Sequence, residues 1–443
     1  MKSFSNHIIL SFLIFNFSFL IFRFSSCTSS SHSTNSQNLS HIYKTKQDGL
    51  HPKFAVFHRT GTTSELHFKI NSKDLLYTKQ GDDGTFSARI SIQYRLISSY
   101  ETKDIIDSAT VTMSDPFSST PRDIIGKIDF SATFTNGYVL QIDLTDMNRN
   151  ITSKTFINID KLDHNTRQNF IVLAGPTKGT DSVFHWRKNK IPVFRDNIGR
   201  DERFFIKYRT PDETIHVRYY HRDFPLPSPP FATSNMIPFE YHADSLFTLQ
   251  LDEKDTVGIK LNSPGFYHIQ ADTNTKDGLT LFRFEDDFPK VKKPIDLLQP
   301  LRYLTTKQEY EVLSGYKNLK TAVDSFWVYA GGSHERARSL VKKFYNRVED
   351  SNEYFSSYLE GWRTDRGLMY IIYGPPNIVY KSSDSESWVY GEENNFNSLT
   401  FTFLKVINPF TDNDYRLERN QIFKTSWFNS VEMWRQGRVY AEK

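Results

Sequence analysis

The chain holds one cysteine in 443 residues. A single thiol closes no internal disulfide and builds no cysteine zinc site, so the position of Cys27 carries more meaning than its redox chemistry. Strong charge of one sign is also missing: 55 Lys and Arg face 51 Asp and Glu, for a net charge of +4. Residues 1–26 contribute Lys2 and Arg23 and no acid, which leaves +2 on the rest. The charges alternate in sign along the chain, with no basic stripe interleaved with aromatics, which argues against a nucleic-acid partner. No P-loop, dinucleotide fingerprint, nucleophile elbow or HExxH pair occurs, so no cofactor and no metal is implied. His216, His221 and Asp223 lie close together, but no third ligand-rich element supports them, and they read as ordinary strand and surface residues.

What is abundant is aromatic: Phe (37) and Tyr (23) dominate the rings that make up 15% of residues. Large rings bury much area each, so a sizeable core is feasible, and 443 residues suffice for two or three domains. The first residues, MKSFSNHIILSFLIFNFSFLIFRFSSC, join a positive start to an apolar run from Ile8 to Phe22, broken only by Ser11, Asn16 and Ser18. That run is short of the roughly 18 to 20 residues a spanning helix needs. It reads as a signal segment over 1–26. The stretch resembles a bacterial lipoprotein signal, in which a peptidase cuts just before a lipidated cysteine, here Cys27. An ordinary cleaved signal with an incidental cysteine, or an uncleaved anchor, is the alternative. The polar residues that follow are expected to form a flexible tether over 27–48. By resemblance to sorting signals, the lack of an acid directly after Cys27 implies an outer-membrane anchor facing the periplasm.

From about 49 the pattern is that of strands. Phe86, Ala88, Ile90, Ile92, Tyr94 and Leu96 alternate with polar residues, as do Tyr138, Leu140, Ile142 and Leu144. Asp146 to Asn150 reads as a turn into a further strand, Thr155 to Ile159. The same habit continues with candidates at 170–173, 204–208, 215–220, 247–251, 257–261 and 266–271. FPLPSPPF, Phe224 to Phe231, is too proline-rich for a central strand and reads as a rigid extended connection. These features predict two Ig- or fibronectin-like β-sandwiches, at 49–162 and 163–288. A linker is expected at 289–302, then a C-terminal α+β domain at 303–443 with a small antiparallel sheet. There Thr306 and Glu309 fit a capping box, and Ser333 fits an N-cap before a helix with Ala337, Leu340, Val341, Phe344 and Val348 on one face.

GWRTDRGLMYIIYGPP, Gly361 to Pro376, is the densest motif. Gly361 reads as a left-handed helix stop, Trp362 as a packed anchor, and Thr364 and Asp365 as bonding backbone N–H groups in a tight loop. Arg366 is expected to pair with Asp365 or a neighbouring carboxylate. Gly367 reads as a reversal into a strand, Leu368 to Tyr373, which Gly374, Pro375 and Pro376 end. Strands near 387–390 and 399–406 follow, and Trp427, Val431 and Trp434 fall at helical spacing before Gly437.

Gly361-Trp362-Arg363-Thr364-Asp365, with Gly374, Pro376, Trp388, Tyr390, Trp434 and Arg435 in order, resembles the GWxTD-domain proteins of Bacteroidota. The resemblance covers about the last 140 residues. It implies an envelope protein with β-rich regions ahead of the domain, and it implies no established reaction. Asp365 could serve as an acid or base, but glycoside hydrolysis needs a second carboxylate at a set distance. Glu360, Asp384, Glu386, Glu392 and Glu393 are unplaced by sequence. Two functions are therefore expected: a non-enzymatic scaffold binding other envelope proteins, or a glycan- or peptidoglycan-binding protein or hydrolase whose rings stack on sugars.

Overall fold

The computed structural model describes residues 38–44, 49–80, 84–101, 104–174, 190–210, 214–221, 223–232, 241–251, 258–393, 395 and 397–439. The expected signal segment and Cys27 lie outside the described residues. The chain is mainly β, with a C-terminal region of helices and a small antiparallel sheet.

Strands β1 (Lys53–His58), β2 (Thr63–Asn71) and β6 (Asp123–Ser131) form one sheet. β3 (Thr78–Gln80), β4 (Thr85–Ile97), β5 (Ile105–Pro116), β7 (Asn136–Asp146) and β8 (Ile151–Lys161) form a second. The alternation read in the sequence sets the packing. Ala88, Ile90, Ile92, Tyr94 and Leu96 of β4, with Leu140, Ile142 and Leu144 of β7, meet Leu66, Phe68 and Ile70 of β2 in one core. The register pairs Ile92 with Leu144 and Tyr94 with Ile142. The β7–β8 turn falls where expected, with the N–H groups of Asn148 and Arg149 donating to Asp146 Oδ1.

The next sandwich pairs β9 (Phe170–Ala174) with β10 (Phe204–Tyr208). It stacks them on a four-stranded sheet ordered β12 (Ser245–Gln250), β11 (Thr214–Tyr220), β13 (Gly265–Gln270), β14 (Leu279–Arg283). Of the strand expected at 257–261, the described part makes only an isolated bridge, Ile259 to Phe204. The hairpin β13–β14 is buried on both faces. Tyr267, Ile269, Leu279 and Leu281 enter the sandwich core, while Phe266 and Phe282 turn outward to a second cluster with Phe410. Phe266 stacks on Tyr220 at 4.8 Å and meets Phe410 edge-on at 5.1 Å.

The second half of residues 289–302, expected as a linker, is instead built into the core. Helix α1 (Pro294–Leu298) and the 3-10 turn Gln299–Tyr303 bury Leu298 and Leu301. The helices α2 (Lys307–Ser314), α3 (Leu319–Gly331) and α4 (His334–Phe355) follow. The Thr306–Glu309 capping box and the Ser333 N-cap form as read. Helix α5 (Asp365–Tyr373) leads into a sheet ordered β15 (Ile378–Lys381), β16 (Ser385–Tyr390), β17 (Leu399–Lys405), β18 (Tyr415–Leu417), and α6 (Phe423–Arg435) closes the domain. Leu368 to Tyr373 is thus helix, not strand. Its residues Leu368 to Ile372 are all buried, so no 3.6-residue polar stripe betrays it.

Residues 38–43, inside the expected tether at 27–48, place Leu39 and Tyr43 in this core. Leu39 is fully buried and Tyr43 nearly so, both in the cluster around α5. No helix among the described residues is long and apolar enough to cross a membrane.

Candidate functional site

The motif forms a corner between α4 and α5. After α4 ends at Phe355, the chain makes a 3-10 turn, Gly361–Arg363, and enters α5. Gly361 does not stop α4 in a left-handed conformation. It is glycine because the turn presses against α4: an added Cβ would land on the carbonyl oxygen of Ser351. Gly367, inside α5, likewise faces the carbonyl of Gly361 and makes no strand reversal. Three layers of backbone therefore stack at distances no side chain allows. Trp362 is buried, its N–H donating to Asn352 Oδ1 at 3.2 Å and its carbonyl accepting from Tyr303 Oη at 2.9 Å.

Both ends of α5 are capped by motif residues. At the start, Thr364 Oγ1 accepts from the Gly367 N–H at 3.1 Å and donates to Gly361 O at 2.8 Å. The Asp365 carboxylate sits in the first turn, where the helix dipole favours it. It accepts from the Leu417 N–H at 2.8 Å and from Arg419 at 2.6 and 3.1 Å. At the far end, the orphan carbonyls of Ile371 and Ile372 accept from Arg347 at 3.0 and 3.3 Å. Trp434 Nε1 donates to Ile372 O at 3.1 Å, and the Arg347 guanidinium stacks on its ring. Tyr390 Oη donates to Gly374 O at 2.8 Å, and Pro376 is buried just beyond.

Arg366 points the other way, into the dry interior. Its Nη1 lies 3.2 Å from Glu386 Oε2, it donates to Asn413, and it stacks on the Tyr415 ring at 4.1 Å. Glu386 is fully buried and saturated. Oε1 accepts from Tyr43 Oη at 2.5 Å and Trp388 Nε1 at 2.6 Å, while Lys381 stands 3.4 Å from Oε2. Burial alone opposes its ionisation, but Lys381, Arg366 and these donors hold the carboxyl below its usual range. Burial, with Glu386 alongside, pushes the Tyr43 phenol well up.

Gly361, Trp362, Thr364, Asp365, Arg366, Gly367, Gly374, Tyr390 and Trp434 thus converge on α5, while Trp388 joins through Glu386, which holds Arg366, and Pro376 is buried just past the helix end. Arg435 stands aside, tying α6 to α2 through Glu309 at 2.8 and 2.7 Å and to Leu304 O. Sequence reading missed Tyr43, Arg347, Asn413 and Arg419 as partners, and it offered Glu386 only as an unplaced acid. One signal was available for Glu386. It shares the inward register of β16 with Trp388, and a charge on a buried face requires a counter-charge.

Two further surfaces adjoin the corner. The proline-rich segment lies along it and ends in a turn at Pro229–Ala232: Arg363 donates to Asp223 and Phe224 O, Arg419 to Ser228 O, and the Asn420 N–H to Pro230 O. A cleft of about 1040 Å³ opens between the first sandwich, the second and the helical domain. Phe54, Phe156 and Phe194 line it with Lys53, Lys154 and Lys381. Among the described residues, no group of three or more His, Cys, Asp or Glu could hold a metal ion. His216 lies on β11, and the His221 backbone N–H donates to Asp244.

The sequence profile of the GWxTD domain matches residues 265–436. The matched stretch opens at β13, ahead of the expected boundary at 303, and so takes in the hairpin whose outer face packs on Phe410. A search of curated proteins returns no match.

Proposed function

We propose that this GWxTD-domain-containing protein is a non-enzymatic interaction component of the bacterial envelope, of the Bacteroidota type, lipidated at Cys27 and held in the outer membrane facing the periplasm. Its partners are other envelope proteins in a secretion, assembly or transport complex. The observation that carries this reading is the state of the motif's charges. Asp365 is committed to Arg419 and a backbone N–H, and Arg366 to Glu386 and Asn413. A general acid or base must reach a substrate proton, and these groups reach only the protein. The test is intact-mass analysis and membrane fractionation of the native protein beside Cys27→Ala, with crosslinking in the same cells. A lipid mass on Cys27 and stoichiometric crosslinks to outer-membrane proteins are expected. A soluble, unlipidated, uncrosslinked protein would end the reading.

The cleft supports a second reading, an envelope glycan ligand. Part-buried phenylalanines beside lysines suit stacking on sugar rings that carry acidic groups. Glycan-array binding lost in a Phe156→Ala, Lys154→Ala pair would favour it. Hydrolysis that disappears in Asp365→Asn would restore an enzymatic role.

A further inference from the structure

We propose that residues 38–43 are a tethered peptide ligand of the GWxTD domain, and that the groove beneath them recognises the pattern Asn-Leu-x-x-x-Tyr.

The contacts are those of a bound peptide. β15 is the edge strand of its sheet, and an open edge accepts an added chain through main-chain hydrogen bonds. The Leu39 N–H donates to Val379 O at 2.9 Å. The Asn38 amide imitates the next peptide group: its Oδ1 accepts from the Val379 N–H at 3.1 Å and its Nδ2 donates to Asn377 O at 3.1 Å. Two side chains then give specificity. Leu39 is fully buried in the domain core. After one 3-10 turn, Tyr43 enters a box of Tyr354, Phe355 and Trp388, with ring centroids 5.6, 5.1 and 5.4 Å away. Its hydroxyl completes the shell of Glu386, and its carbonyl accepts from Tyr370 Oη at 3.0 Å. All of these partners lie more than 300 residues away in sequence. Edge pairing, a fully buried leucine and one aromatic box with a buried carboxylate make a built recognition site, currently filled in cis.

This inference deepens the interaction reading and rests on it. Its test measures binding in solution, so it fails separately from the cellular test of the envelope role. A protease site is placed in residues 45–48 of the full chain, and the folded protein is cut. A labelled peptide of residues 36–45 should then exchange into the cut protein and not into the uncut one. A Tyr43→Phe peptide should bind about tenfold more weakly, through loss of one hydrogen bond to a charged group. A Leu39→Asp peptide should bind about a hundredfold more weakly, because it would bury an unpaired charge. In a Glu386→Gln protein the Tyr-to-Phe difference should shrink, which ties the hydroxyl to this carboxylate. Failure to exchange, unfolding of the domain on loss of the cut segment, or equal binding of all three peptides would each overturn the proposal and make the segment a fixed part of the core.

Discussion

Asp365 and Arg366 are neighbours on the first turn of α5, yet they work in different media. The Asp365–Arg419 pair sits at a rim, its side chains 10% and 12% exposed, beside the proline-rich segment that Arg419 also holds. The Arg366–Glu386 pair is dry, at 2% and 0%, beside the segment 38–43 that Glu386 holds through Tyr43. One dipeptide therefore clamps two segments from far upstream, one on each side of the helix. The difference teaches what the motif is for. Its charges fasten distant pieces of chain to α5, and the dry clamp should matter more, because a charge stranded without water cannot be rescued by solvent.

The contrast is easiest to break at Glu386. Glu386→Ala strands Arg366 in the interior and should cost about 3 to 5 kcal/mol. Denaturant midpoints at constant slope are the measure. A loss no greater than that of Asp365→Ala would erase the distinction between rim and interior.

A dry histidine extends the contrast to a pH axis. His268, on the outward face of β13, is buried against Phe410 and bonded to Thr280 and Lys276. Burial, with Arg218 adding repulsion, lowers its pKa to about 4. Burial lowers His58 to about 4 as well. The folded protein thus resists a proton that the unfolded chain accepts below its ordinary value of 6.5. Stability is complete above that pH and falls as pH drops from 6.5 towards 4, by up to about 3 kcal/mol per histidine. An NMR titration that finds His268 protonating near 6.5 in the folded state would refute this.

Asp365→Ala should cost about 1 to 3 kcal/mol, because it leaves the Leu417 N–H and Arg419 short of an acceptor that water replaces only in part. Asp365→Asn should fall at the low end, since its amide oxygen still accepts. Calorimetry on both variants checks the order, and equal losses would show that the carboxylate's charge, and not its capacity to accept, carries the contact at the rim.

The same contrast between wet and dry explains what could be read in advance. β4 and β7 announced themselves because one face of each meets the core and the other does not, which leaves a period of two in the sequence. α5 and β14 did not, because both are buried all round: Leu368 to Ile372 show only an apolar run, and in β14 even Thr280 and Arg283 are buried, so polarity marks no outer face. For α5, the N-cap Thr364, the acid at Asp365 and Gly374 just past the end were the usable signals, and they outrank the run they enclose. The docking of residues 38–43 was hidden for another reason. Short polar composition describes a segment that cannot fold alone, and it does not say whether a groove 300 residues away will fold it. The Arg366–Glu386 pair was half legible: the register of β16 marks Glu386 as a buried acid in need of a counter-charge, but that Arg366 supplies it follows from the packing of α5 on β16 and from no local pattern.

The smallest effect lies at Arg435, the motif residue farthest from α5. Its hydrogen bonds to Glu309 lower that carboxyl to about 2, against an ordinary 4.5, with the Thr306 N–H helping and partial burial opposing. The sign follows from the depressed value. The pair contributes above pH 4.5 and its contribution disappears as pH falls through about 2. The Glu309 side chain is 42% exposed, so solvent screens the pair to less than about 1 kcal/mol. Arg435→Met should therefore destabilise slightly at neutral pH, and most of that cost should disappear near pH 2 and in concentrated salt, leaving only the lost bond to Leu304 O. Glu386→Ala should keep its cost in the same salt, because ions do not reach a fully buried pair. A salt-insensitive Arg435→Met, or a salt-sensitive Glu386→Ala, would mean that the rim and the interior of this domain are not the separate media that its packing describes.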